Sequence, residues 1–165
     1  MGFLRVTLLL SVLLALAGCS SKFKTYNGPE VTRIVVQKGA RKMTLWHNTD
    51  LLKSYDIDLG FAPAGHKQFE GDGKTPEGRY FIDRRNPNSS FHLSLGISYP
   101  NEADIAAARA AGKSPGGDIF IHGQPNLLKG NRGPDWTLGC ISVKNREIER
   151  IYAMVKNGTV IDIYP

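Results

Sequence analysis

From Val31 onward the apolar residues mostly follow a period of two: Val31, Arg33 and Val35 are set against Thr32, Ile34 and Val36, and Met43 and Leu45 are flanked by polar neighbours. That is the spacing of a pleated strand, so short strands are predicted to dominate the first half. Turn-forming stretches separate them, KGARK at 38–42 and EGDGKTPEG at 70–78. A strand pair is predicted at Arg79 to Asp83 and Phe91 to Ile97. The pattern then changes. ADIAAARAA is rich in good helix formers, Asn101 can cap a helix running through Ala110, and Gly112 stops it. Asp118 to His122 returns to strand. Behind Asn145, a second candidate N-cap with Glu147 and Glu149 in the favourable first turns, Ile148, Ile151, Tyr152 and Val155 share one helical face, and Gly158 ends the helix. That face reads as core packing. Thr159 to Tyr164 is predicted as the last strand. The expected fold class is mainly β with a few helices, and 165 residues suffice for one domain with a real core.

The first eighteen residues stand outside this pattern. Met1 to Arg5 carry one basic side chain, Val6 to Ala17 are nearly all apolar, and LAGC overlaps the end of that run. This reads as an export signal, because a run of 12 residues falls well short of the roughly 20 that span a bilayer. A Leu, a small residue, Gly and Cys in this position resemble the lipobox of bacterial lipoproteins, which implies that Cys19 is lipidated on sulfur and becomes the first residue. An ordinary signal peptide cleaved near Ala17 is the other reading. The organisation expected is a lipoprotein signal peptide over 1–18, a lipidated tether over 19–30 containing Asn27, Gly28 and Pro29, and one domain over 31–165. Ser20 and Ser21 lack the Asp that often retains lipoproteins at the inner membrane, so the periplasmic face of the outer membrane is the expected location.

Charge changes the picture only a little. Removing residues 1–18 takes away Arg5 alone among charged side chains, leaving 20 basic against 15 acidic residues and a net charge of +5. That suits an anionic wall or membrane surface. Nucleic acid is excluded as a partner by export and by the lack of a basic helix, zinc-finger spacing or an aromatic RNP-like motif.

Three features of the chain bear on chemistry. GDGKT fails as a phosphate loop, because the glycine required five positions before Gly73 is Gln68. His47, His66, His92 and His122 are scattered without ligand spacing, so no metal site is expected. Two cysteines exist, and lipid would consume one, leaving Cys140 of DWTLGC as a lone thiol. It is either a small buried side chain or a nucleophile. Nucleophilic use is favoured by a base that would lower its pKa: at pH 7 a thiol of pKa near 8.5 is only about 3% ionised, and a fall to about 6 beside His would make it roughly 90% thiolate.

IHG at 121–123, followed eighteen residues after its His by the Cys of TLGC, resembles the signature of the L,D-transpeptidase catalytic domain, the YkuD family, which has HG and later [Ser/Thr]-His-Gly-Cys. GDGKTPEGRYFI is similar to that family's upstream turn and strand, and the resemblance covers most of residues 32–164. It implies a folded sheet or β-sandwich, with Cys140 as nucleophile and His122 as its base. The Gly123 carbonyl would hold the His ring, and the amides around Gly139 and Cys140 would bind the oxyanion. The donor would be a peptidoglycan tetrapeptide stem, cut between its diamino acid and terminal D-alanine to leave a thioester on Cys140. No cofactor is implied.

Thr137 matches the family pattern. Leu138 stands where the family usually has His, and Ser142 stands where an Arg often follows two residues after Cys, so a clamp for a substrate carboxylate is missing. The resemblance therefore leaves two enzymatic outcomes, transfer to an amine, or hydrolysis that trims stems or releases wall-attached lipoprotein. A non-catalytic lipoprotein that binds peptidoglycan is a third reading. Trp136 either walls the groove or packs in the core, His92 in FHLSL either lines the donor groove or only sits on a strand, and Asp135 reads as a turn residue rather than a third catalytic acid.

Overall fold

The alternation of the first third is realised as a meander of β1 (Arg33–Gln37), β2 (Lys42–His47) and β3 (Asp50–Asp56). The computed structural model describes residues 21–127 and 132–165. Ile34 and Val36 of β1 lie opposite Leu45 and Met43 of β2, and all four are fully buried. On the other side of β1 runs β8 (Val160–Tyr164), parallel to it, with Ile161 and Ile163 beside the same two residues. Each such side chain contributes about 1.5–3 kcal/mol relative to exposure, which is why the period of two is decisive here. β3 carries little of this signal, since Leu51 is exposed and Tyr55 is the strand's buried residue.

β4 (Gly78–Asn86) is the strand on which the sheet turns. Its first four residues pair with β8, its later ones pair with β5 (Ser94–Ile97), and the register shifts between Ile82 and Arg84. Beyond β5 come β6 (Phe120–His122) and the short β7 (Ile141–Ser142), so the strand order is β3-β2-β1-β8-β4-β5-β6-β7 in one curled sheet. Both halves of that sheet feed one core, in which Ile34 and Ile161 from one half join Leu95, Ile121 and Ile141 from the other.

Helix α1 (Glu102–Ala110) begins as predicted. The Asn101 side chain accepts from the Asp104 N–H at 3.0 Å, and the Asp104 carboxylate accepts from the Asn101 N–H at 2.9 Å. Helix α2 (Asn145–Met154) lays Ile148 and Ile151 into the core, but its N-cap is Lys144 rather than Asn145. Asn145 is occupied elsewhere, because its Oδ1 accepts from the backbone N–H of Gln124 at 2.7 Å.

One further expectation is corrected. The strand predicted from Phe91 starts only at Ser94, because His92 takes a positive φ of 70° that no extended strand holds. Within the expected tether of 19–30, residues 21–30 touch the domain: Lys22 Nζ donates to the carbonyls of Pro87 and His92, Phe23 meets the Tyr152 ring at 6.4 Å, and the Glu30 carbonyl meets His47 Nδ1 at 2.8 Å. The signal peptide over 1–18 and the lipid site Cys19 lie outside the described residues. No helix among the described residues is long and apolar enough to cross a membrane.

Candidate active site

His122 ends β6, and the parallel pairing of β6 with β7 sets Ile121 beside Ile141 and His122 beside Ser142. Cys140, one residue before β7, is thereby brought to the same end of the sheet as His122. Both side chains line a cleft of about 680 Å³, together with Lys67, Phe91, Asp118 and Trp136. A smaller cavity of about 280 Å³, lined by Asn86, Ser89, Ser90 and Ser94, meets the pair from another side.

The imidazole of His122 is 3% exposed and tightly held. Its Nδ1 lies 2.7 Å from the Gly123 carbonyl oxygen, so Nδ1 carries the proton and Nε2 of the neutral ring is the acceptor. Phe91 lies over the ring at 4.4 Å between centroids, and Trp136 meets it edge-on at 5.7 Å. Gly123 is required at its position. Its N–H donates to the carbonyls of Phe91 and Leu93, and a Cβ there would stand 2.6 Å from Asn145 Oδ1 and 3.0 Å from the Phe91 carbonyl oxygen.

The turn that delivers Cys140 is pinned at several points. Arg41 grips the Asp135 carboxylate through Nε and Nη2, and Asp135 Oδ1 also accepts from the Leu59 N–H at 3.0 Å. Asp135 is thus a structural turn residue, with a φ of 54°. Thr137 Oγ1 donates to the Cys140 carbonyl at 2.8 Å and accepts from the Gly139 N–H at 3.1 Å. That bond occupies the Gly139 amide, one of the two expected oxyanion donors. Gly139 itself has φ of 134° and sits so close to the Lys74 carbonyl oxygen that a Cβ would be 2.7 Å away.

The thiol and the imidazole hold each other's protons differently from the sequence expectation. Burial pushes the Cys140 thiol above its ordinary value, against a hydrogen bond with the Phe120 backbone, with Asp118 adding to the rise and Lys67 opposing it least. Burial pushes His122 below its ordinary value, although its bond to Gly123 works the other way. A pair of neutral groups is favoured at rest, rather than a thiolate facing an imidazolium, because burial penalises both charges.

Not every expected residue reaches the cleft. Trp136 does, as a wall, with the Arg132 guanidinium 4.6 Å over its ring. His92 does not line either cavity; its Nε2 lies 2.9 Å from Glu149 Oε1 on α2, tying the 86–92 loop to that helix. Ser142 is fully buried, with its Oγ accepting from Gln124 Nε2 at 3.0 Å, so it offers nothing to a substrate. Lys67, Phe91 and Asp118 are among the lining residues that escaped the sequence reading. They sit in loops or at strand ends where no periodicity marks them. Among the described residues, no three His, Cys, Asp or Glu side chains gather as metal ligands.

Comparison with known families bears on this site directly. The profile of the YkuD family, the L,D-transpeptidase catalytic domain, matches residues 31–163. The chain belongs to that family. YafK of Escherichia coli (strain K12), provisionally named an L,D-transpeptidase, is 32% identical over 124 residues, covering 70% of this chain and 44% of YafK. The crystal structure of the helical cell shape determining protein Pgp2 from Campylobacter jejuni superposes with a TM-score of 0.64 at 25% identity, covering 93% of this chain and 54% of Pgp2. L,D-transpeptidase 1 of Mycobacterium tuberculosis shares the fold at 14% identity and a TM-score of 0.52, covering 81% of this chain and 60% of its own. The chain spans about half the length of these YkuD relatives. Within the family pattern, the two departures fall at different depths: Leu138 is 77% exposed at the cleft, whereas Ser142 is sealed beneath it.

Proposed function

We propose that this chain is a cysteine acyltransferase of the bacterial cell wall, an L,D-transpeptidase acting on peptidoglycan tetrapeptide stems through a thioester on Cys140. The observation that carries the reading is the His122 Nδ1 contact with the Gly123 carbonyl, which leaves Nε2 as a base in the cleft that Cys140 also lines. In the first half-reaction Nε2 takes the Sγ proton as sulfur adds to the carbonyl carbon of the diamino acid. The developing oxyanion falls to the Cys140 amide, since the Gly139 amide is bonded to Thr137. Collapse breaks the C–N bond, and the imidazolium returns the proton to the departing D-alanine nitrogen. An acceptor amine then attacks the thioester carbonyl as Nε2 takes its proton, the C–S bond breaks, and the imidazolium returns that proton to the departing sulfur to restore the Cys140 thiol.

Hydrolysis is the competing outcome, and water stands at roughly 55 M, so an amine prevails only where the site orients it; effective molarities of oriented reactants reach 10⁵ M and more. The exposed Leu138 dries the rim and supports transfer. The test is mass spectrometry of products from donor stem peptide with and without a diamino-acid amine. Crosslinked product with amine supports transfer, and tripeptide acid at every amine concentration assigns hydrolysis. Cys140→Ala should abolish both products with the fold intact, and turnover by that variant would sink the thiol mechanism. His122→Ala should cost about 10²–10⁴-fold.

A further inference from the structure

We infer that Lys67 reads a free carboxylate on the residue released from the substrate, doing from a neighbouring loop what an Arg two residues after the cysteine would do from the strand. This rests on the proposed reaction at Cys140. Lys67 is 3% exposed, yet it lines the cleft with Cys140 and His122. Its Nζ donates to Asp72 Oδ1 at 2.9 Å and to the Phe69 carbonyl at 3.1 Å. An ammonium has three N–H donors, so one is left over among the described residues.

The same molecule supplies the contrast. Lys38, equally buried, has three acceptors for its three donors, the carbonyls of Gly65 and Thr75 and the Glu77 carboxylate, and it is a closed structural site. Lys67 is an open one. Its partner Asp72 is held independently by the backbone N–H groups of Gln68, Phe69 and Lys74, so the carboxylate that pairs with the buried ammonium is fixed in place. Lys67 and Cys140 line the same cleft, which puts the cation on the wall of the space the substrate would fill.

A terminal carboxylate one residue past the bond being cut is the anion that such a cation meets. Glu70 and Asp118, also lining the cleft, disfavour a polyanion and leave room for a substrate ammonium. In the proposed reaction Lys67 is thus the residue that favours a stem ending in a free carboxylate, one residue past the bond cut, over an internal bond of a crosslinked strand.

The experiment compares a stem tetrapeptide with its C-terminal carboxamide, using the full chain. Wild type should prefer the acid by about tenfold or more in kcat/KM, chiefly through KM. Lys67→Gln should bring the acid-to-amide ratio towards one, and Lys67→Arg should restore part of it. Equal use of both peptides by wild type, or an unchanged ratio in Lys67→Gln, overturns the inference. Titrating the same two peptides into Cys140→Ala, with and without Lys67→Gln, reads the preference without turnover. Absence of turnover in the wild type would then count against the proposed reaction, while the binding ratio still decides the role of Lys67. Where Lys67→Gln does not fold, Lys67→Met with Asp72→Asn removes both charges together and carries the same comparison.

Discussion

At the residue scale the site is governed by burial. The Cys140 thiol lies above its ordinary value and His122 below its own, both because the cleft penalises charge. Alkylation needs the thiolate itself, so without substrate the rate of Cys140 modification by iodoacetamide should be slow at pH 7 and still climbing at pH 9. A plateau reached by pH 7 would instead reveal a standing thiolate–imidazolium pair. Turnover follows the base: lowering the His122 pKa keeps Nε2 free below pH 6.5, and activity falls only as acid protonates it. Ser142 and Leu138 make a second contrast. Ser142→Arg should unfold the domain rather than create a clamp, since the site is fully buried and an unpaired guanidinium there costs several kcal/mol. Leu138→His, at an exposed position, should leave the thermal melt within about a degree and shift only the product ratio. A folded, active Ser142→Arg protein would refute this reading.

At the scale of elements, the His122 ring is positioned by a helix it does not belong to. Asn145 opens α2, and its side chain holds the Gln124 N–H beside the Gly123 carbonyl that orients His122. Asn145→Ala should therefore cost about 1–2 kcal/mol of stability and lower kcat more than it changes KM, as seen by thermal melts and steady-state kinetics. Loss of stability without loss of kcat would show that Gly123 holds its geometry unaided. Helix α1 shows the other extreme. Its capping box is a local interaction between Asn101 and Asp104, three residues apart, so its start was legible in the sequence. The start of α2 was misplaced by one residue because the competing partner of Asn145 is 21 residues away.

For the whole molecule, the docked segment 21–30 lies against the loop that borders the candidate site. Lys22 is bonded to carbonyls of the 86–92 loop, which also carries Phe91 against the His122 ring. We propose that lipid on Cys19, two residues upstream of Ser21, holds this face close to the bilayer, on the periplasmic side of the outer membrane. Cys19→Ala should move the protein into the soluble fraction with its catalytic domain intact. A variant that stays with membranes would show that the apolar run of Val6 to Ala17 is itself the anchor.

What the sequence determined by itself was whatever depends on near neighbours. The alternation that makes β1, β2 and β8, the α1 cap and the HG and TLGC motifs are all written within a few residues, and local physics reads them. The tertiary structure decided everything that needs two distant segments in one place. It set Lys67 in the cleft and Lys38 outside it, although both are buried lysines in glycine-bearing loops. It turned Ser142 inward, gave His92 to Glu149, and engaged the Gly139 amide with Thr137. The physical reason is that burial, and with it the pKa and availability of each polar group, belongs to the surroundings a side chain acquires when the sheet curls across β4.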